Sequence, residues 1–147
     1  MTDCPLCAAD GGILLWRDDT LRVIDAAADG YPGFTRVVWQ AHVREMTDLS
    51  APQRQRLMDV VWTVERVQRD LLSPDKINLA SLGNMAPHLH WHIIPRWRDD
   101  SHFPEAVWAP VPVGKNLQQA RTRAQQVADR LADYHAALRI ALQDLSA

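Results

Sequence analysis

Apolar positions along the chain follow two periods in turn, about two residues and then about 3.6. Ile13–Trp16 and Leu21–Ile24 are short apolar runs on either side of the turn-like Arg17-Asp18-Asp19-Thr20, the pattern of a hairpin. Asp29-Gly30 and Pro32-Gly33 are turn signals, and Phe34–Trp39 (F-T-R-V-V-W) reads as a third strand. After His42 the period changes. Ser50-Ala51-Pro52-Gln53 has a capping-box pattern with proline in the first turn. Leu57, Val60, Val61, Val64, Val67, Leu71 and Leu72 then recur at helical spacing as far as Ser73-Pro74. Lys76–Leu82 predicts a fourth strand, Gly83–Pro87 a loop and Leu89–Pro95 a fifth strand. From Arg98 to Gly114 no period holds. Asn116 is placed to cap one last helix over 116–145, with the stripe Leu117, Ala120, Ala124, Val127, Leu131, Tyr134, Leu138, Ala141 and Leu145.

Strands in a run, with two helices to cover one face, predict an α+β fold on a five-stranded antiparallel sheet. A chain of 147 residues is expected to be a single domain, with a core over 4–113 and the terminal helix beyond it. Sixteen basic against 18 acidic residues, a net charge of −2, argue against a nucleic-acid-binding surface or a polybasic membrane patch. No apolar run is long enough to span a bilayer. Met1-Thr2-Asp3-Cys4 lacks the basic and apolar regions of a signal peptide, so a cytoplasmic location is expected. The two cysteines, Cys4 and Cys7, suit a reducing compartment. So short a Cys-x-x-Cys loop fits metal or redox use better than a structural disulfide.

The candidate chemistry lies at His88-Leu89-His90-Trp91-His92, which holds three of the six histidines. Successive strand residues point to opposite faces, so the three imidazoles form a row on one face while Leu89, Trp91 and Ile93 turn towards the core. The row is expected on the open face, away from the helices. Three groups that titrate near neutrality repel one another when charged and need a reason to be together. One reading of the row is a set of ligands for a catalytic zinc. The absence of Asp or Glu over 88–94 argues against the metal.

His-Leu-His-Trp-His-Ile-Ile resembles the His-φ-His-φ-His-φ-φ signature of the histidine triad (HIT) family of nucleotide hydrolases and transferases, φ being apolar. Asn78, Gly83-Asn84 and Pro95-Arg96 stand at matching places, and His42 is similar to an additional upstream histidine, so the likeness covers roughly residues 4 to 96. The resemblance implies a homodimer whose sheet extends across the two subunits. It also implies attack by the middle histidine, His90, on the α-phosphorus of a nucleotide phosphoester, anhydride or phosphoramidate, through a phosphohistidine. His92 would hydrogen-bond the phosphoryl oxygens or move the leaving-group proton, and His88 or a backbone carbonyl would fix the His90 tautomer. Asn78 and Asn84 would donate to phosphoryl oxygens, and Asp25 would accept from ribose hydroxyls. Catalysis would need no cofactor. A structural zinc is expected from Cys4 and Cys7, with His42 and His88 completing the site by resemblance to family members that begin with Cys-x-x-Cys. The loop differs from the family's usual pattern: Met85 supplies no hydroxyl to a leaving group. A binding or signalling module with weak turnover is the alternative function.

Trp16, Trp39, Trp62 and Trp91 sit at expected core positions, whereas Trp97 and Trp108 suit dimer contact or substrate stacking. His102 and His135 are expected to be solvated or locally bonded. Arg54, Arg56, Arg66 and Arg69 read as a solvated helix face.

Overall fold

A computed structural model describes residues 3–146; Met1 and Thr2, part of the stretch read for a targeting signal, lie outside them. Five strands form one antiparallel sheet in the order β1-β2-β3-β5-β4: β1 (Ile13–Arg17), β2 (Leu21–Asp25), β3 (Thr35–Trp39), β4 (Lys76–Ala80) and β5 (His90–Arg96). Helix α2 (Ala51–Leu72) is started by the expected capping box. The Gln53 N–H donates to Ser50 Oγ at 3.3 Å, and the Ser50 N–H donates to Gln53 Oε1 at 2.8 Å. It ends where Ser73 turns left-handed before Pro74.

The apolar stripe of α2 packs on the sheet through Leu57, Val60, Val61, Val64 and Val67. Those side chains meet Leu21, Val23, Val37, Trp39, Ile93 and Ile77 of the strands. The C-terminal stripe is real, but one helix becomes two, α3 (Leu117–Ala128) and α4 (Leu131–Ser146), with a break at Asp129-Arg130. The second segment presses Tyr134, Leu138 and Leu142 into the core beside α2, whereas α3 buries only Ala120 and Val127. No apolar side chain between 128 and 130 holds the junction down.

The other face of the sheet is not open. Helix α1 (Pro5–Ala8), a single turn that sequence periodicity does not reveal, sets Cys4 and Leu6 against Ile24 and Val38. Towards the opposite end, Tyr31 and Phe34 pack on Ile94 with Val107 at their edge. The histidine row lies between these two patches and is nearly enclosed. His88 is 0% exposed, and His90 and His92 are 8% each. Of the tryptophans read as core, Trp39 is buried and Trp16 and Trp91 pack at the core edge, but Trp62 is 49% exposed. Trp62 lies two residues from both Val60 and Val64 on α2, roughly 160–200° round the helix from each, and so points away from the stripe.

Candidate active site and metal cluster

Strand pairing assembles the site. In the β3–β5 ladder Val38 stands opposite His90 and Arg36 opposite His92; in the β4–β5 ladder Asn78 stands opposite Ile94 and Ala80 opposite His92. Directly paired residues share a face, so Arg36, Asn78, His90 and His92 are neighbours although they come from three strands. Strand β5 begins at His90, and His88 lies in the approach to it.

Each histidine is oriented by a different acceptor or donor. His88 Nε2 lies 2.6 Å from the Trp39 carbonyl oxygen and His90 Nδ1 lies 2.6 Å from the His88 carbonyl oxygen. A carbonyl only accepts, so both nitrogens carry the proton. The free lone pair of His88 is then on Nδ1, and that of His90 on Nε2. For His92 the sense reverses: Arg36 Nε–H donates to His92 Nδ1 at 3.3 Å, so the His92 proton sits on Nε2. Burial is the main cause that lowers the pKa of all three. The adjacent His90 and Arg36 add to it at His92, whose pKa falls to about 4. The row is therefore neutral at pH 7 and offers one ring nitrogen as nucleophile and another as hydrogen-bond donor.

His88 also faces away from the row's chemistry. Cys4 Sγ lies 3.4 Å and Cys7 Sγ 3.5 Å from His88 Nδ1, Cys7 Sγ lies 3.3 Å from His42 Nδ1, and the two Nδ1 atoms are 3.3 Å apart. All four ligand atoms lie within 4.8 Å of one another. A tetrahedral zinc with ordinary Zn–S and Zn–N bonds would set S···N edges of about 3.6 Å and an N···N edge of about 3.3 Å. The residues fit the ion. Each supplies one soft or borderline donor, and the His88 Nε2–H to carbonyl bond is the outer-shell contact that frees Nδ1 for a metal. Burial raises the Cys4 thiol, but hydrogen bonds from the Cys7 backbone and side chain and from the Leu6 backbone, with the charge of Arg22, outweigh it. The thiol is held below its ordinary value. At Cys7, burial and the neighbouring Cys4 raise the thiol.

Two buried arginines to which sequence reading gave no role frame the site. Arg22 ties down the Cys-x-x-Cys turn by donating to the carbonyls of Leu6, Ala9 and Asp10 and to Gln40 Oε1. Arg96 donates to both oxygens of Asp100, to Asn78 Oδ1 at 2.8 Å and to the Glu105 carbonyl. The guanidinium can only donate, so the Asn78 amide presents its oxygen to Arg96 and leaves its NH2 for another partner. Asp100 in turn accepts from the backbone N–H groups of Trp97, His102 and Phe103 and from Tyr31 Oη. Tyr31 Oη also lies 2.6 Å from His102 Nδ1. His102 is thus locally bonded, as expected.

Two substrate-contact expectations fare differently. Asn84 lies exposed in the loop before the row and makes no side-chain hydrogen bond among the described residues. Asp25 is a correction. It pairs with Thr35 in the β2–β3 ladder, one residue out of phase with Ile24, and so points to the helix-covered side. There it accepts from the Ala27 N–H at 2.7 Å and meets His135 Nε2 at 3.2 Å. Burial would raise this carboxyl, but those two contacts hold it below its usual value. The structure does not bring Asp25 to the row. The reading of the row itself as a zinc ligand set also fails, because His88 alone of the three turns to the cysteines.

A family model for the HIT domain matches residues 12–99, more than half of the chain. The chain belongs to the HIT family. Solved HIT-family relatives include a histidine triad protein from Bradyrhizobium japonicum, 26% identical with a TM-score of 0.64, covering 83% of this chain and 92% of that one. Another, from Marinobacter aquaeolei, is 27% identical with a TM-score of 0.64, covering 85% and 92%. An AP-4-A phosphorylase from Mycobacterium tuberculosis is 27% identical over 108 residues, 69% of this chain. This chain spans only about half (55%) of that relative's length. The five-stranded antiparallel sheet with helices is the HIT arrangement expected from the triad. No helix among the described residues is long and apolar enough to cross a membrane.

Proposed function

We propose that this HIT protein hydrolyses nucleotides at the α-phosphate, with His90 as the nucleophile. One observation carries the reading: a neutral imidazole whose Nδ1–H is tied to the His88 carbonyl at 2.6 Å, which leaves Nε2 as a lone pair on the sheet face. In the first step the Nε2–P bond forms as the bond from phosphorus to the leaving group breaks, and the leaving group takes the electron pair. In the second step water attacks phosphorus, the Nε2–P bond breaks, and the water proton passes to solvent. His92, neutral with its proton on Nε2, donates a hydrogen bond to a phosphoryl oxygen, and the free Asn78 NH2 offers another.

The proton for the leaving group is the missing part. With its pKa near 4, His92 has no spare proton to give at pH 7. Met85 is 96% exposed and has no hydroxyl. Such a site suits leaving groups that depart as stable anions, which are the phosphates of an anhydride. The relative named AP-4-A phosphorylase agrees with that class. The zinc cluster is a closed set of four ligands, so a bound ion would be structural, holding Cys4, Cys7, His42 and His88 together. For the homodimer, the exposed Trp108, Val111 and Val113 of the 103–113 segment supply an uncovered apolar surface.

A panel of dinucleoside polyphosphates and adenosine phosphoramidates tests the reading. The expected result is turnover of the polyphosphates, lost in His90→Ala, with phosphoramidates at least tenfold slower in kcat/KM. Equal or faster cleavage of phosphoramidates would show that the site does supply an acid. Turnover by His90→Ala would remove His90 as nucleophile.

A further inference from the structure

One cation on the face of the row has no counter-ion among the described residues. Arg36 stands in the middle of β3, directly opposite His92 in the ladder. Its guanidinium lies over the Phe34 ring, 5.3 Å from the centroid, and its Nε–H is given to His92 Nδ1. Its terminal nitrogens have no hydrogen-bond partner among the described residues, and no carboxylate there lies within ion-pairing distance. Its two arginine neighbours on the same face differ. Arg22 and Arg96 are more deeply buried, and both are surrounded by carbonyl or carboxylate acceptors. A half-buried guanidinium beside neutral imidazoles, with open donors and no opposing charge, is costly to hold. An anion arriving at the row would remove that cost. Arginine also matches the oxygens of a phosphoryl group better than any other side chain, in a planar fork of donors.

We propose that Arg36 is a further catalytic side chain of this site. Its terminal nitrogens bind the non-bridging oxygens of the phosphoryl group that His90 attacks. Its Nε–H at the same time holds His92 as the Nε2–H tautomer that donates to that group. This rests on the hydrolase reading above for its substrate, but not for its effect on His92. Arg36 exchanges no proton. It stabilises the charge that gathers on the phosphoryl oxygens as the Nε2–P bond forms and the leaving oxygen departs. One side chain thereby couples the charge of the site to the orientation of its hydrogen-bond donor.

The test compares Arg36→Met and Arg36→Lys with the native protein, each checked for an unchanged melting temperature. Steady-state kinetics on a dinucleoside polyphosphate should show kcat falling about 10²–10³-fold in Arg36→Met, with a much smaller change in KM. Arg36→Lys, which keeps a cation, should recover at least tenfold of that loss. Calorimetric titration with adenosine 5′-monophosphate should show at least tenfold weaker binding to Arg36→Met. Imidazole 15N–1H correlation spectra, taken without substrate, should report His92 as the Nε2–H tautomer in the native protein and a mixture in Arg36→Met. A kcat for Arg36→Met within threefold of native would overturn the catalytic role, and an unaltered His92 tautomer would overturn the positioning role. A native protein that turns over no nucleotide defeats the hydrolase reading instead. The spectra and the monophosphate titration then still decide Arg36: unaltered tautomer and affinity in Arg36→Met would overturn the proposal.

Discussion

At the scale of single residues, the site works by assigning protons rather than charges. Two carbonyls and one guanidinium decide which nitrogen of each imidazole is free, and near-enclosure keeps the rings neutral. That neutrality has a consequence for stability. The folded-state pKa of His92 is about 4, whereas an unfolded histidine titrates near 6.5. Above pH 6.5 neither state takes the proton. As pH falls from 6.5 to 4 the unfolded chain binds a proton that the folded chain refuses, so stability is lost across that window. Replacing His92 by Asn is expected to flatten the fall, by on the order of 1–3 kcal/mol at pH 4. Urea denaturation of both proteins at pH 7.5, 5.5 and 4.5 measures it. Parallel curves for the two would mean that His92 is not the group responsible.

At the scale of elements, the short α1 turn matters more to the site than its length suggests. It brings Cys4 and Cys7 to His42 and His88, and Arg22 of β2 fastens the turn through its carbonyls. His88 belongs to both constructions, since its ring faces the cysteines and its carbonyl orients His90. Near-stoichiometric zinc is expected by elemental analysis of protein purified without chelator, and Cys4→Ser/Cys7→Ser should lose it. Thermal stability should fall with the ion, because binding to the folded chain alone adds to its stability. A metal-free native protein with the melting temperature of the double variant would show the four residues to be an ordinary cluster. Much of this was legible beforehand. The alternation through His88, His90 and His92, the Ser50 capping box and the Cys-x-x-Cys turn are local patterns, and local patterns survive without knowledge of pairing. Arg36 was not legible as a site residue, because F-T-R-V-V-W shows only that it faces away from Val37. Which face that is, and that His92 is opposite, depend on the β3–β5 ladder. Asp25 fails for the same reason: at the end of β2, one step of phase decides which side of the sheet it serves.

At the scale of the whole molecule, one sheet carries two unlike faces. Helices α2 and α4 cover one with an apolar core, while α1 and the Tyr31–Phe34 patch flank the other and leave the row between them. The 97–105 loop is held against the sheet by Arg96 and Asp100, yet Trp108 beyond it is 57% exposed, and its ring lies 6.4 Å from that of His92. An exposed tryptophan beside the histidine row, continued by exposed Val111 and Val113, is the surface we expect a second subunit to cover. Light scattering at micromolar concentration is expected to give twice the 16.6 kDa mass of the chain. Trp108→Ala should shift that equilibrium towards the single chain. A native species of 16.6 kDa alone would remove the dimer from this account.

If His90 Nε2 carries the nucleotidyl group during turnover, trapping the adduct reveals it most directly. The native protein would be mixed with a dinucleoside polyphosphate and quenched in alkali within milliseconds, since phosphohistidine is labile in acid. The digest would then be sequenced by mass spectrometry through the segment from Ile77 to Arg96. One nucleoside monophosphate is expected on His90, absent from His90→Ala and still formed in His92→Asn at a lower rate. A substrate that is cleaved with no adduct at any quench time, or with the adduct on His88 or His92, would contradict it.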